Sequence, residues 1–234
     1  MRLCFRRGLI HGVPIALGYF SVSFGFGIMA VRAGLSVLEA VCISMTNLTS
    51  AGQAAGVSVI AACGTYLEMA VTQFVINIRY ALMGLSLSQK LDASFHTPQR
   101  LIVSFGITDE IFAMASAQPG KITAPYMYGL ILISFFGWSG GTLLGAVAGN
   151  ILPAMITDAM GIVLYGMFLA IFIPAAKQSR SILTVVLIAA FCSTLLRYVI
   201  PTLSSGFSVI ISAVIASAAA AVLFPVPEEE GRKV

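Results

Sequence analysis

Charge is what this sequence has least of. Asp, Glu, Lys and Arg make up 9% of its 234 residues, against roughly 25% in an ordinary soluble domain. A water-soluble body of this size needs more polar groups than that to cover its surface. A soluble enzyme, a nucleic-acid binder and a disordered chain are therefore excluded. Histidine is nearly missing: His11 and His96 are the only two, too few for a metal site or a His-based triad. The four cysteines, Cys4, Cys42, Cys63 and Cys192, form no C-x-x-C pair. They read as small apolar helix residues, not as a zinc site or a disulfide framework. No G-x-x-x-x-G-K-[ST], H-E-x-x-H or G-x-S-x-G motif occurs. ATP hydrolysis has no machinery here, and neither an enzyme activity nor a cofactor is expected.

What the chain has in quantity is apolar length. Hydrophobic residues reach 59% and the mean hydropathy is +0.98. A helix needs about 20 apolar residues to cross the hydrocarbon core, so about seven or eight segments fit. The expected fold is all-α: a polytopic integral membrane bundle, a single domain over residues 1–234, with a short N-terminus at 1–8 and a disordered tail at 225–234. Apolar segments run over 9–31, 35–62, 65–87, 101–117, 125–149, 157–175, 182–199 and 206–224.

Two of these segments are interrupted. Residues 35–62 carry Ser44, Thr46, Asn47, Thr49, Ser50 and Gln53 at their centre, beside Gly52. Residues 101–117 are short and hold Asp109 and Glu110. If both re-enter, about six full crossings remain. The N-terminus, the 90–100 link, Lys121, Lys177, Arg180 and the C-terminus then share one face, and only Arg32 and Arg197 fall near the other. The positive-inside rule makes the crowded face cytoplasmic. The interrupted segments would occupy matching places in two halves.

A charge at the bilayer centre costs about 2.5–3.5 kcal/mol on insertion scales, so it persists only beside a partner or water. Glu68, Arg79, Asp109 and Glu110 are such charges. On a helix Glu68, Thr72 and Arg79 fall within about 40° of one another, while Gln73 and Asn77 form an i, i+4 pair on another side. Adjacent Asp109 and Glu110 diverge by about 100°, so one of them would pair with Arg79. The functional reading is a midplane site for a small zwitterion. Ser44, Thr46, Asn47, Ser50, Gln53, Asn77 and Arg79 would bind substrate, with Glu68, Asp109 and Glu110 as coupling groups or ion-pair partners. Each has a plainer alternative. Glu68 would be interfacial, Arg79 would sit in a structural ion pair, and Asn47 and Gln53 would satisfy broken backbone. Thr72 and Gln73 read as interhelix hydrogen-bond donors, and Trp138 and the tyrosines as belt or packing residues.

Several stretches resemble the AzlC family of branched-chain amino acid permeases. They are Gly8-Leu9 through Gly18 with Pro14, Phe24-Gly25-Phe26-Gly27, Gly34-Leu35-Ser36, Ser50-Ala51-Gly52-Gln53, Asn77-Ile78-Arg79-Tyr80 and Thr108-Asp109-Glu110-Ile111-Phe112-Ala113. Their order covers about residues 6–220. The Thr46–Ala55 run stands where the family is usually phenylalanine-rich, and Tyr80 ends a stretch that usually ends in His. The resemblance implies an exporter of branched-chain amino acids in the bacterial inner membrane. It implies that this chain is the large subunit, working with a small AzlD-type membrane partner. Transport of another amino acid, uptake, or a non-transporting scaffold role are the alternatives.

Overall fold

The computed structural model describes residues 4–93, 95–149, 179–200 and 205–224, with scattered positions among 151–177 and residues 202 and 203. All regular secondary structure among the described residues is helical, apart from one isolated bridge between Leu91 and Ile122. The expected segment at 157–175 lies outside the described residues.

Helix α1 (Phe5–Arg32) contains Pro14 in its interior, where the missing N–H forgoes one ladder hydrogen bond, and the chain stays helical through it. A turn at Gly34, with φ of 95°, leads into α2 (Val37–Thr46). Ser36 and Glu39 open α2 with a capping box: the Ser36 hydroxyl accepts from the Glu39 N–H at 3.2 Å, and the carboxylate accepts from the Ser36 N–H at 2.7 Å. Residues 47–50 are non-helical, and α3 (Ala51–Ala61) follows. Helix α4 (Tyr66–Ser88) starts at a Thr65 cap, which accepts from the Glu68 N–H at 3.1 Å. Next come α5 (Thr97–Phe105), a break at 106–108, and α6 (Asp109–Ser116). Then follow α7 (Ala124–Gly149), α8 (Arg180–Val199) and α9 (Ser205–Leu223).

Four of these helices, α1, α4, α7 and α8, are long and apolar enough to cross a membrane. Both expected interruptions are present, and each converts one apolar segment into two short helices.

Packing fixes where the short helices go. Helices α1 and α7 run side by side in the same direction. A Cβ at Gly8 would strike the Tyr126 carbonyl, one at Gly137 the Ala16 backbone, and one at Gly145 the Phe24 carbonyl. Glycine there lets two backbones touch, the contact lipid-embedded helices use in place of hydrophobic drive. Helix α2 starts near the end of α1. Ala40 and Val57 share a buried cluster with Phe26, Ala30 and Ala146, so α3 returns to the end from which α2 set out. Helix α4 then runs back to the start of α1 and α7, where Leu87 packs with Phe95, Ile122 and Tyr126. Val103 on α5 and Ala115 on α6 share that cluster, and Lys90 Nζ donates to the Ser116 carbonyl. The α2–α3 and α5–α6 pairs are therefore helical hairpins that fold back toward opposite ends of the bundle.

Candidate functional site

The hairpin tips meet at mid-depth. In the first tip, the Asn47 side-chain oxygen accepts from the Thr49 hydroxyl at 2.7 Å and from the Thr49 N–H at 3.3 Å, which closes the turn. Ser50 then takes a φ of 50°, which L-residues rarely adopt. Ser50 gives α3 no side-chain cap, and its hydroxyl has no partner. No side chain caps α3, whose start carries the positive end of a helix dipole, although the Gly52 N–H turns back to the Thr49 carbonyl at 3.2 Å.

Three further amide side chains, Gln53, Gln73 and Asn77, stand around that helix start. Gln53 is 1% exposed. Its Nε2 donates to Ser44 Oγ at 3.0 Å, and Ser44 shares a 2.7 Å hydrogen bond with Thr142 on α7. Gln53 Oε1 has no partner. On the opposite side, Gln73 Nε2 donates to the Gly52 carbonyl at 2.8 Å, and Asn77 Nδ2 donates to Gln73 Oε1 at 3.0 Å. A cavity of about 170 Å³ opens between these groups. Its polar wall is Asn47, Gln53 and Gln73, its apolar wall Ile43, Val57, Ile60 and Met69, and Gly52 and Gly56 leave the space between.

The second tip is built differently. Thr108 caps α6 by accepting from the Ile111 N–H at 3.3 Å, and the helix opens with Asp109 and Glu110. Acidic residues there complement the positive end of the helix dipole. Arg79 Nη1 meets Asp109 Oδ2 at 2.7 Å, with both side chains nearly half exposed, and the guanidinium lies over the Tyr80 ring at 5.1 Å. Glu110 Oε2 accepts from the Tyr19 hydroxyl at 2.6 Å; the same hydroxyl bonds Thr108 Oγ1. Behind it, the Tyr19 ring meets Trp138 edge-on at 5.3 Å and packs with Leu48, on the first tip.

The two half-helix starts thus differ in kind. That of α6 is capped and already carries two carboxylates. That of α3 is uncapped, neutral and beside a cavity, so it is the one suited to an anionic group.

The sequence-expected residues divide between the tips. Ser44, Asn47, Ser50, Gln53 and Asn77 surround the α3 start, and Arg79, Asp109 and Glu110 belong to the α6 start. Two expected residues stand elsewhere. The Thr46 side chain is exposed and donates back to the Cys42 carbonyl at 2.7 Å. Glu68 lies buried in the first turn of α4, where a Cβ on Gly64 would come 2.8 Å from its Oε2. Of the trio expected on one face, Glu68 and Thr72 are buried and Arg79 is exposed. Sequence reasoning missed Tyr19, Trp138 and Leu48 as members of the site, as well as Thr142. Gln73, expected as an interhelix donor, is one, and it also lines the cavity. Among the described residues, no group of three or more His, Cys, Asp or Glu is placed to hold a metal.

The AzlC family profile, described as AzlC protein, matches residues 14–152, more than half the chain. The chain belongs to the AzlC family. Over 201 residues, 82% of each chain, it is 29% identical to the inner membrane protein YgaZ of Escherichia coli. Over 177 residues, 74% of this chain and 76% of the relative, it is 32% identical to an uncharacterized membrane protein of Archaeoglobus fulgidus. It is also similar to the branched-chain amino acid transport protein AzlC of Bacillus subtilis, at 20% identity over 172 residues, 72% of this chain and 66% of that one. No solved structure matches the chain. The AzlC-matched region contains both hairpins, α4 and α7, and so both tips.

Proposed function

We propose that this chain is the large subunit of a secondary transporter that exports branched-chain or similar aliphatic amino acids. The carrying observation is the cavity beside α3. The uncapped helix start meets a carboxylate, the unpartnered Gln53 oxygen accepts from an ammonium, and the Ile43–Val57–Ile60–Met69 wall receives an aliphatic side chain. The printed name of the Bacillus subtilis relative, a branched-chain amino acid transport protein, agrees with this chemistry.

Without nucleotide-hydrolysing motifs, the driving force is a proton gradient or the membrane potential. Asp109 and Glu110 are the carboxylates placed to respond to it, and Arg79 holds the first of them. Arg6, Arg7, Lys90, Arg100 and Lys121 lie at the end where α1 starts. The positive-inside rule then puts that end, with the N-terminus, in the cytoplasm of a bacterial inner membrane. A small AzlD-type subunit is the proposed partner. Helix α8 offers it a surface, since none of its residues is buried.

Labelled valine efflux from proteoliposomes containing both subunits tests the reading. Arg79→Ala and Glu110→Gln should each lower efflux at least about tenfold, a loss of about 1.4 kcal/mol or more, while membrane insertion stays intact. Unchanged efflux from either variant removes that residue from the mechanism. A wild-type complex that moves no aliphatic amino acid refutes the reading as a whole.

A further inference from the structure

Tyr19 touches both hairpins from a helix that belongs to neither. Its side chain is 7% exposed. The ring meets Trp138 of α7 edge-on and shares a buried cluster with Leu48 at the α2–α3 tip. The hydroxyl reaches Thr108, the cap of α6, and the Glu110 carboxylate at 2.6 Å. The hairpins come from opposite ends, so one residue stands at the junction of both.

We propose that Tyr19 is a positioning residue for transport, a latch shared by the two hairpins. Its ring seats one tip and its hydroxyl the other, and the hydroxyl must leave Thr108 and Glu110 whenever the path opens on the α5–α6 side. The asymmetry of its contacts supports this. The α2–α3 side is held by ring packing, which has no direction. The α5–α6 side is held by hydrogen bonds, one of them to a carboxylate, which are directional and break as a unit. A residue needed only for packing would have no use for a hydroxyl here; phenylalanine would fill the same space beside Trp138.

The latch rests on the transport reading, yet it can be measured without transport. Trp138 is the only tryptophan in the chain and is 2% exposed. Its quenching by acrylamide in proteoliposomes reports water reaching the Tyr19 ring with no substrate present. Tyr19→Phe keeps the ring and removes only the hydroxyl. It should raise the Trp138 quenching constant at least about twofold as the open population grows, with little loss of thermal stability. Glu110→Ala removes the acceptor from the other side and should do the same, which covers the case in which Tyr19→Phe fails to fold. If both variants quench like wild type, or if they lower the melting temperature and leave quenching below it unchanged, Tyr19 is a packing residue and the latch is overturned. A wild-type protein that exports no amino acid, with quenching that still rises in Tyr19→Phe, sinks the transport reading and leaves the hydroxyl closure standing.

Discussion

At the scale of single residues, Gly56 stands between the cavity and its walls. A Cβ there would come 3.2 Å from Gln73 Nε2 and 3.6 Å from Met69 Sδ. One added methyl therefore presses on both the polar and the apolar lining. Discrimination by one methylene in an apolar pocket is worth about 1–3 kcal/mol. Gly56→Ala should lower leucine and isoleucine transport by about tenfold or more relative to alanine, as read by competition against labelled valine. Equal loss for all three would mean that the cavity does not select by size.

Ser50 permits a second test at the same scale. Its φ of 50° is the kind of backbone strain, about 1–3 kcal/mol, that collects at functional sites. Ser50→Asp would put a carboxylate at the uncapped start of α3, where the proposed substrate carboxylate sits. The variant should keep its thermal stability, since a carboxylate beside the positive end of a helix dipole contributes about 0.3–1 kcal/mol. Amino acid binding should fall at least about tenfold. Binding that survives with full affinity would place the substrate carboxylate elsewhere.

At the scale of elements, the α1–α7 contact carries most of the packing in the described residues. Gly141 faces the Ser23 hydroxyl and the Phe20 backbone, and a Cβ on Gly27 would strike the Thr142 carbonyl. Any larger side chain must push two backbones apart. Overpacking of this sort costs about 1–3 kcal/mol. Gly141→Leu should lower the melting temperature in detergent and the yield of folded protein, whereas Gly140→Leu, which has open space around it, should not.

The elements themselves were largely legible in the sequence. Apolar length located α1, α4, α7 and α8 to within a few residues, because lipid imposes a length. The interruption at 47–50 was legible because polar side chains crowd where a plain helix would face hydrocarbon. The second break was visible as a short segment with two carboxylates, and the structure moves it slightly: Asp109 and Glu110 open a helix instead of sitting inside one. Residue partners were less legible. Arg79 was readable as a partner for one of two carboxylates, since a lone deep charge is costly. Tyr19 was not, because 89 positions separate it from Thr108 and a tyrosine in an apolar helix carries no local sign of its contact. Thr142 hides in the same way among the glycines of α7.

At the scale of the whole molecule, the arrangement is two hairpins dipping from opposite ends toward α1, α4 and α7. This fixes the sidedness of two natural cysteines. Cys4 precedes α1, and Cys63 lies in the turn between α3 and α4; both are exposed. A membrane-impermeant thiol reagent should label Cys4 and Cys63 from opposite faces, compared in right-side-out and inverted vesicles with Cys4→Ser and Cys63→Ser as controls. Labelling of both from one face would mean that the α2–α3 segment crosses instead of returning.

The parallel seam of α1 and α7 also bears on biosynthesis. Phe24 must wait for Gly145, its backbone neighbour, to leave the ribosome, and at about 5–20 residues per second that delay is on the order of ten seconds. Through that interval the glycine ridge of the first helix lies bare to lipid, while both dipping hairpins and α4 are already being laid down beside it. The newborn chain therefore passes through a stage in which its moving parts exist before the spine they will lean on.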